Sequence, residues 1–175
     1  MPVFYDPVQR AHNPATELHN GSFVPYAEHI GRIDALTGAI VEAGYDLTAP
    51  QDFGMAPIAT IHSPPYLDFL QNAHQRWRNA GRQGDASGYA WPVIGRRPLT
   101  LNRIDADLGQ FSFDASTPIA EHSWRSAYAN AQSAIAAVDT LLAGAAPASC
   151  GLCRPPGHHA GADYMGGYCY LNNVA

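Results

Sequence analysis

A short apolar run from Ala148 to Cys153, preceded by two long stretches of helical periodicity, constrains this chain more than any other feature. Such a run suits a strand buried on both faces of a parallel sheet, and parallel strands need helical crossovers between them. From about Tyr26 to Ala43, Ile30, Ile33, Leu36, Ile40 and Val41 fall on one face, and Gly44 supplies the stop. From Ser123 to Ala143, Trp124, Tyr128, Ala131, Ile135, Val138 and Leu142 recur at helical spacing and read as core; Gly144 ends the run. Val3-Phe4-Tyr5 reads as a first short strand, residues 7 to 25 as loop, and Ile58 to Ile61 as strand or extended chain. Ser63 ahead of Pro64 and Pro65 marks an N-cap and first turn. The helix it opens carries Tyr66, Leu67, Phe69, Leu70, Ala73 and Trp77 and ends near Gly81. The order is α/β, with right-handed crossovers expected. Tyr170 to Ala175 reads as the start of a helix with no stop after it, so the expectation is a chain that ends inside a domain.

At 175 residues, one domain is the default. An apolar fraction of 46% and a charged fraction of 14% supply a packed core and argue against disorder. The net charge of −5 argues against a domain held on nucleic acid by phosphate contacts. No apolar run approaches the roughly 18 residues of a membrane span, and the first residues are no signal peptide, so a soluble cytoplasmic protein is expected. All ten basic side chains are arginine. Without lysine, Schiff-base, pyridoxal-phosphate and P-loop chemistries are excluded. Arg76, Arg78, Arg82, Arg96, Arg97 and Arg103 crowd a Gly/Pro-rich segment that reads as a solvated loop or as a basic rim for an anionic partner. Cys150 and Cys153 form a C-x-x-C, readable as small buried side chains or as a metal or redox pair.

The chemistry concentrates where the last strand ends, the position at which open α/β sheets place their sites. Pro155, Pro156 and Gly157 make a rigid turn that can hold His158 and His159 toward one pocket. Such a pair can split roles, one imidazole acting as base while its neighbour carries charge. Gly166 and Gly167 let backbone approach a ligand, and Tyr168 offers a flat wall. Read from residues alone, the pair also admits a structural dipeptide, a zinc-ligand pair lacking its partners, or the base for a Cys169 nucleophile.

The run from Cys153 to Asn173 resembles the zinc-dependent deacetylases of the arginase–deacetylase fold: histone deacetylases, acetylpolyamine amidohydrolases and acetoin-utilisation proteins. Looser likenesses extend over the chain. Thr16-Glu17-Leu18, Val24-Pro25, Glu28 and Arg32 resemble the substrate-side loop of the acetylpolyamine branch. His62 to Leu70 is similar to the family's His-x-x-x-Tyr-Leu-x-Phe-Leu helix entry. Trp91-Pro92 and the arginine loop resemble an insertion that helps form a homodimer. The resemblance implies a three-layer parallel-sheet fold, with residues 1–175 forming the N-terminal part of a single catalytic domain that is incomplete at its C-terminus.

The resemblance also implies the reaction: hydrolysis of an acetylated small amine or acetyl-lysine to acetate and amine. It makes His159 the general base and His158 its proton-holding neighbour. Gly167 becomes the carbonyl acceptor of the substrate amide N–H, Tyr168 the wall of the acyl tunnel, and Asp114 a substrate anchor; read bottom-up, Asp114 is equally a turn residue. Glu28 and His62 are expected to hold loops. The family's zinc ligands, its oxyanion tyrosine and its structural potassium sites are expected beyond Ala175, so no metal ligand is assigned here and the isolated chain is expected to be inactive. Leu108 and Ser116 stand where the polyamine branch would carry acids. The alternatives are a non-catalytic chain acting only in binding or dimerisation, and a small zinc module built on Cys150, Cys153, Cys169 and a histidine.

Overall fold

The computed structural model describes residues 1–93, 95 and 102–175. Arg96 and Arg97 of the arginine segment lie outside the described residues. β1 (Val3–Phe4) is the middle strand of a three-stranded parallel sheet among these residues, between β4 (Leu47–Thr48) and β5 (Cys150–Gly151). Val3 pairs with Leu47 on one side and with Cys150 on the other. The strand expected at Ile58 to Ile61 is instead helix α2 (Ala56–Ile61), and the strand partner comes from Leu47–Thr48. Pro57 near its start presets a helical φ, and only Ile58 of the run is buried, so the short run serves a helix as well as it would a strand.

The region expected as loop holds a 3-10 turn (Pro7–Ala11) and a hairpin of β2 (Thr16–His19) and β3 (Ser22–Pro25). Asn20 and Gly21 make the hairpin turn, both left-handed at φ 49° and 79°. Asn-Gly is the pair that a two-residue hairpin loop favours, because both central residues need positive φ.

Helix α1 (Gly31–Glu42) starts five residues later than expected, because Pro25 closes β3 and the chain turns through His29 before coiling. Ile33 is its buried contact, while Leu36 and Val41 face outward. Helix α3 (Pro64–Asn79) matches expectation, with all six named apolar residues buried and the chain leaving through Gly81 at φ 77°. Helix α4 (Ile104–Gln110) arises in the arginine segment, where seven residues are too few to show periodicity.

Helix α5 (Ser123–Leu142) has its expected span but a different buried face. Ser123, Ser126, Ala127, Asn130, Ser133 and Ala137 go inside, whereas Val138 and Leu142 are exposed. Small residues let the helix lie close to β1, β5 and the 3-10 turn. Gly151 has no room for a Cβ against Ser133 O, at 2.9 Å. The buried polar atoms find partners: Gln9 Nε2 donates to Ser133 Oγ at 3.1 Å, and Ser126 Oγ donates to Val8 O at 2.9 Å. The larger apolar core lies around α3, where Tyr66, Phe69 and Leu70 pack with Leu108, Phe111, Ile119 and Tyr170. Tyr170 to Ala175 forms bends and not the expected helix; Val174 and Ala175 N–H groups donate back to Asn172 Oδ1.

Candidate active site

β5 delivers the chain at the carboxyl edge of the sheet, and a cis Arg154–Pro155 bond turns it into the histidine-bearing loop. Arg154 is fully buried. Its backbone N donates to Gln9 Oε1 at 2.8 Å, Nη1 to the Gln9 and His12 carbonyls, and Nη2 to Glu28 O at 2.9 Å. Arg154 Nε lies 3.2 Å from Glu28 Oε2. One guanidinium thus gathers the 3-10 turn, the hairpin exit and the histidine loop. Burial raises the Glu28 carboxyl to about 7, with Arg154 and Arg32 opposing the rise. His12, between Ser123 Oγ at 2.9 Å and Tyr26 Oη at 3.3 Å, is pushed down to about 3 by burial and by Arg154 and stays neutral.

Beyond the prolines, Asn130 of α5 donates to Pro155 O and accepts from Asn173 Nδ2 at 2.6 Å. Gly157 is required by contact, since a Cβ there would run into Asn173 and the Leu171 carbonyl. His158 and His159 are both exposed, with ring centroids 4.1 Å apart. His62 acts as expected: Asn172 N donates to its Nε2 at 2.9 Å, and burial lowers its basicity.

Gly166 and Cys169 close a two-residue reverse turn, with N–H to carbonyl bonds of 2.9 and 3.1 Å. Its central residues are Gly167 at φ 54° and Tyr168 at φ 66°, both left-handed. A Cβ on Gly167 would meet His159 Cδ2 at 2.6 Å, so this backbone lies directly against the imidazole. The loop Asp114–Pro118 holds the turn from the other side. Gly167 N donates to Asp114 Oδ2 at 2.6 Å and Tyr168 N to Thr117 Oγ1 at 2.9 Å. Asp114 also accepts from Ser116 N and Thr117 Oγ1, both at 3.2 Å. His158, His159, Gly167, Tyr168 and Asp114 therefore converge. Asp114 enters as a brace of the turn, its carboxylate already engaged by three donors.

Leu108 is fully buried in the core and Ser116 serves the Asp114 loop. The acid near Tyr168 is Glu17 of the expected substrate-side loop, whose Oε1 accepts from Tyr168 Oη at 2.9 Å, a contact that sequence reasoning did not assign. Its signal was faint: one carboxylate inward on a hairpin whose turn was itself overlooked. Phe113 and Tyr164, an edge-on pair at 5.9 Å, were also missed; both are exposed, and Gly166 leaves Phe113 its space.

The three thiols occupy three environments. Cys150 packs by Val3, Tyr5, Ile33 and Leu152. Cys153 Sγ donates to Asn130 O at 3.7 Å, and burial raises it to about 12. Cys169 is fully buried, its Sγ donating to Gly167 O at 3.3 Å, and burial raises that thiol as well. Cys169, buried, raised and engaged on Gly167 O, is therefore not poised as a thiolate nucleophile. Among the described residues no three His, Cys, Asp or Glu side chains converge as a metal-binding group. These residues therefore do not fit a metal on their own, and the chemistry they supply is that of the two imidazoles and the Gly-Tyr turn.

Three arginines of the basic rim are ion-paired. Arg76 pairs with Asp107, Arg82 and Arg103 with Asp105 at 2.6 and 2.9 Å, and Arg82 lies over Trp77 at 4.7 Å. Among the described residues no helix is long and apolar enough to cross a membrane.

The parallel-sheet α/β fold is the deacetylase fold, as solved structures similar to this chain show. Residues 26–175 match the histone deacetylase domain, and the chain belongs to that family. It is 41% identical over 176 residues to acetylpolyamine amidohydrolase 2 of Pseudomonas aeruginosa, across all of this chain and 51% of that protein. A crystal structure of acetylpolyamine aminohydrolase from Burkholderia pseudomallei superposes with a TM-score of 0.91 at 39% identity, over 99% of this chain and 50% of that one. The HDA15 HD domain shares the fold alone, with a TM-score of 0.67 at 19% identity over 98% of this chain and 40% of that one. The chain spans about half the length of the curated relatives it matches.

Proposed function

We propose that residues 1–175 are the N-terminal part of a single deacetylase domain and supply the tandem-histidine side of its active site. The substrate is a linear N-acetyl amide, of acetylpolyamine or acetyl-lysine type, and the products are acetate and free amine. The observation that carries this reading is the packing of the Gly167 backbone against His159, with the His158 ring beside it, tilted, at a centroid distance of 4.1 Å.

On this reading His159 Nε2 or Nδ1 takes the proton from the attacking water, and His158 holds positive charge next to it. The Gly167 carbonyl accepts the substrate N–H, Tyr168 walls the acyl chain, and Asp114 fixes both by bracing their turn. Zinc, held by ligands outside these residues, supplies polarisation of the amide carbonyl and a more acidic water when bound; structural potassium belongs to the same outside portion. The isolated chain is inactive, the whole protein acts in the cytoplasm, and the loop bearing Trp91 supports a homodimer contact.

The test begins with the coding sequence past codon 175, followed by acetate release from N-acetylputrescine and acetyl-lysine peptides by the whole protein. The expected result is zinc-dependent release that falls by about two to four orders of magnitude in His159→Ala with zinc content unchanged. Activity surviving that substitution overturns the base assignment. A stop after Ala175, with no turnover, replaces this reading by the alternative of a chain that only binds or dimerises.

A further inference from the structure

The left-handed backbone of Tyr168 is unusual. A bulky L-residue at φ 66° is strained and persists only where its surroundings over-determine it. Two of the restraints act on backbone: Asp114 receives the Gly167 N–H and Thr117 the Tyr168 N–H. Neither fixes where the ring goes. The ring is held by Tyr26, edge-on at 5.4 Å, and by a single hydrogen bond at its far end, from Tyr168 Oη to Glu17 Oε1.

Glu17 is suited to that task. It sits on β2 opposite Val24, is 4% exposed, and its second oxygen accepts the Ala27 N–H at 3.1 Å. The carboxylate is therefore immobilised on both oxygens, by hairpin backbone on one side and by the phenol on the other. The phenol is a committed donor, because burial and the Glu17 charge raise it to about 12. Tyr168 consequently offers its ring, and not its proton, to whatever lies beside His159.

We infer that Glu17 is the positioning residue of Tyr168, setting where the ring stands next to the histidine pair and hence the fit of the acyl group. The placement stands on geometry alone; its effect on substrate rests on the deacetylase reading. The alternative is that Glu17 merely caps Ala27 and the phenol bond is incidental.

The two readings separate in the whole protein labelled with carbon-13 at tyrosine and histidine rings, with Tyr168→Phe assigning the Tyr168 signal. In the unsubstituted chain a protected Tyr168 hydroxyl proton is expected, and its absence overturns the inference without any variant. Glu17→Ala should move the Tyr168 ring signal and the His159 imidazole signal. Glu17→Gln, which keeps an acceptor oxygen, should lie nearer the unsubstituted chain. An unmoved Tyr168 signal in Glu17→Ala overturns the inference, as does a Glu17→Gln shift equal to that of Glu17→Ala. In the whole protein, Glu17→Ala should raise KM for the acetylated amine about tenfold with a smaller change in kcat. Equal losses in both parameters overturn the substrate-fitting part. If no acetate is released by the unsubstituted protein, the deacetylase reading fails while the spectroscopic result still decides the placement of Tyr168.

Discussion

Two parts of this molecule are rich in arginine-dependent contacts, and they use them in opposite ways. Around the histidine loop, Arg154 is fully buried and spends its guanidinium on three backbone carbonyls and Glu28. Around α4, Arg76, Arg82 and Arg103 meet Asp105 and Asp107 at partly exposed positions. A buried guanidinium that satisfies several backbone acceptors fixes distant segments in one geometry, and removing it leaves those acceptors unpaired. Exposed pairs are screened and contribute little each. The molecule therefore places its rigid polar web behind the chemistry and its adaptable charges away from it.

Breaking the buried side of that contrast should cost most. Arg154→Met is expected to destabilise the chain by about 3–5 kcal/mol, read from urea unfolding, because Glu28 and the three carbonyls lose their donor together. A loss under about 1 kcal/mol would place the support of the loop elsewhere.

The same web predicts a pH signature. Glu28 is raised from 4.5 to about 7, so the folded state holds its proton and stability from this group falls as pH rises across that window. His12 is lowered from 6.5 to about 3, so the unfolded state holds its proton and stability from this group is lost as pH falls below 6.5. Between 4.5 and 6.5 the two oppose each other. Glu28→Gln should leave the His12 loss uncompensated, and the melting temperature should drop as pH is lowered from 6.5 to 4.5 more steeply than in the unsubstituted chain. His12→Gln should do the reverse and gain stability over that range. Parallel melting curves for all three would show the web titrating elsewhere.

Asp114→Ala removes the acceptor for Gly167 N and Ser116 N and should cost about 1–3 kcal/mol. Faster amide hydrogen exchange at Gly167 and Ser116 is the local readout, and Asp114→Asn should recover part of it. The smallest effect belongs to Arg103→Ala on the exposed side, under about 1 kcal/mol in thermal unfolding and diminishing with added salt. An Arg103 effect as large as that of Asp114 would erase the distinction between the two regions.

Part of this was readable directly from residues. Helix α3 was legible because Pro64-Pro65 and Gly81 bracket an apolar face of ordinary spacing. The span of α5 was legible too, but its inward face was not. Burial there is decided by close approach to Gly151 and by partners such as Gln9 and the Val8 carbonyl, which no periodicity of large side chains reports. The hairpin at Asn20-Gly21 carried a usable signal in its turn pair, obscured by prolines and polar residues on either side. At the site, His158, His159, Gly167 and Tyr168 were named from their run in the chain. Glu17 and Arg154 were not given their roles, since each acts on residues more than a hundred positions away in sequence.

By itself the sequence determined what is local: where helices start and stop, which turn is rigid, which side chains carry protonatable nitrogen, and, through one long motif, the family. Tertiary structure alone decided which face of α5 goes inside and that the arginines near α4 are paired. It also decided that the cysteines are separate, and that a hairpin carboxylate holds the tyrosine beside the histidines. The physical reason is that local preferences depend on the backbone and the nearest few side chains. Desolvation, hydrogen-bond satisfaction and close packing depend on whatever the fold brings alongside.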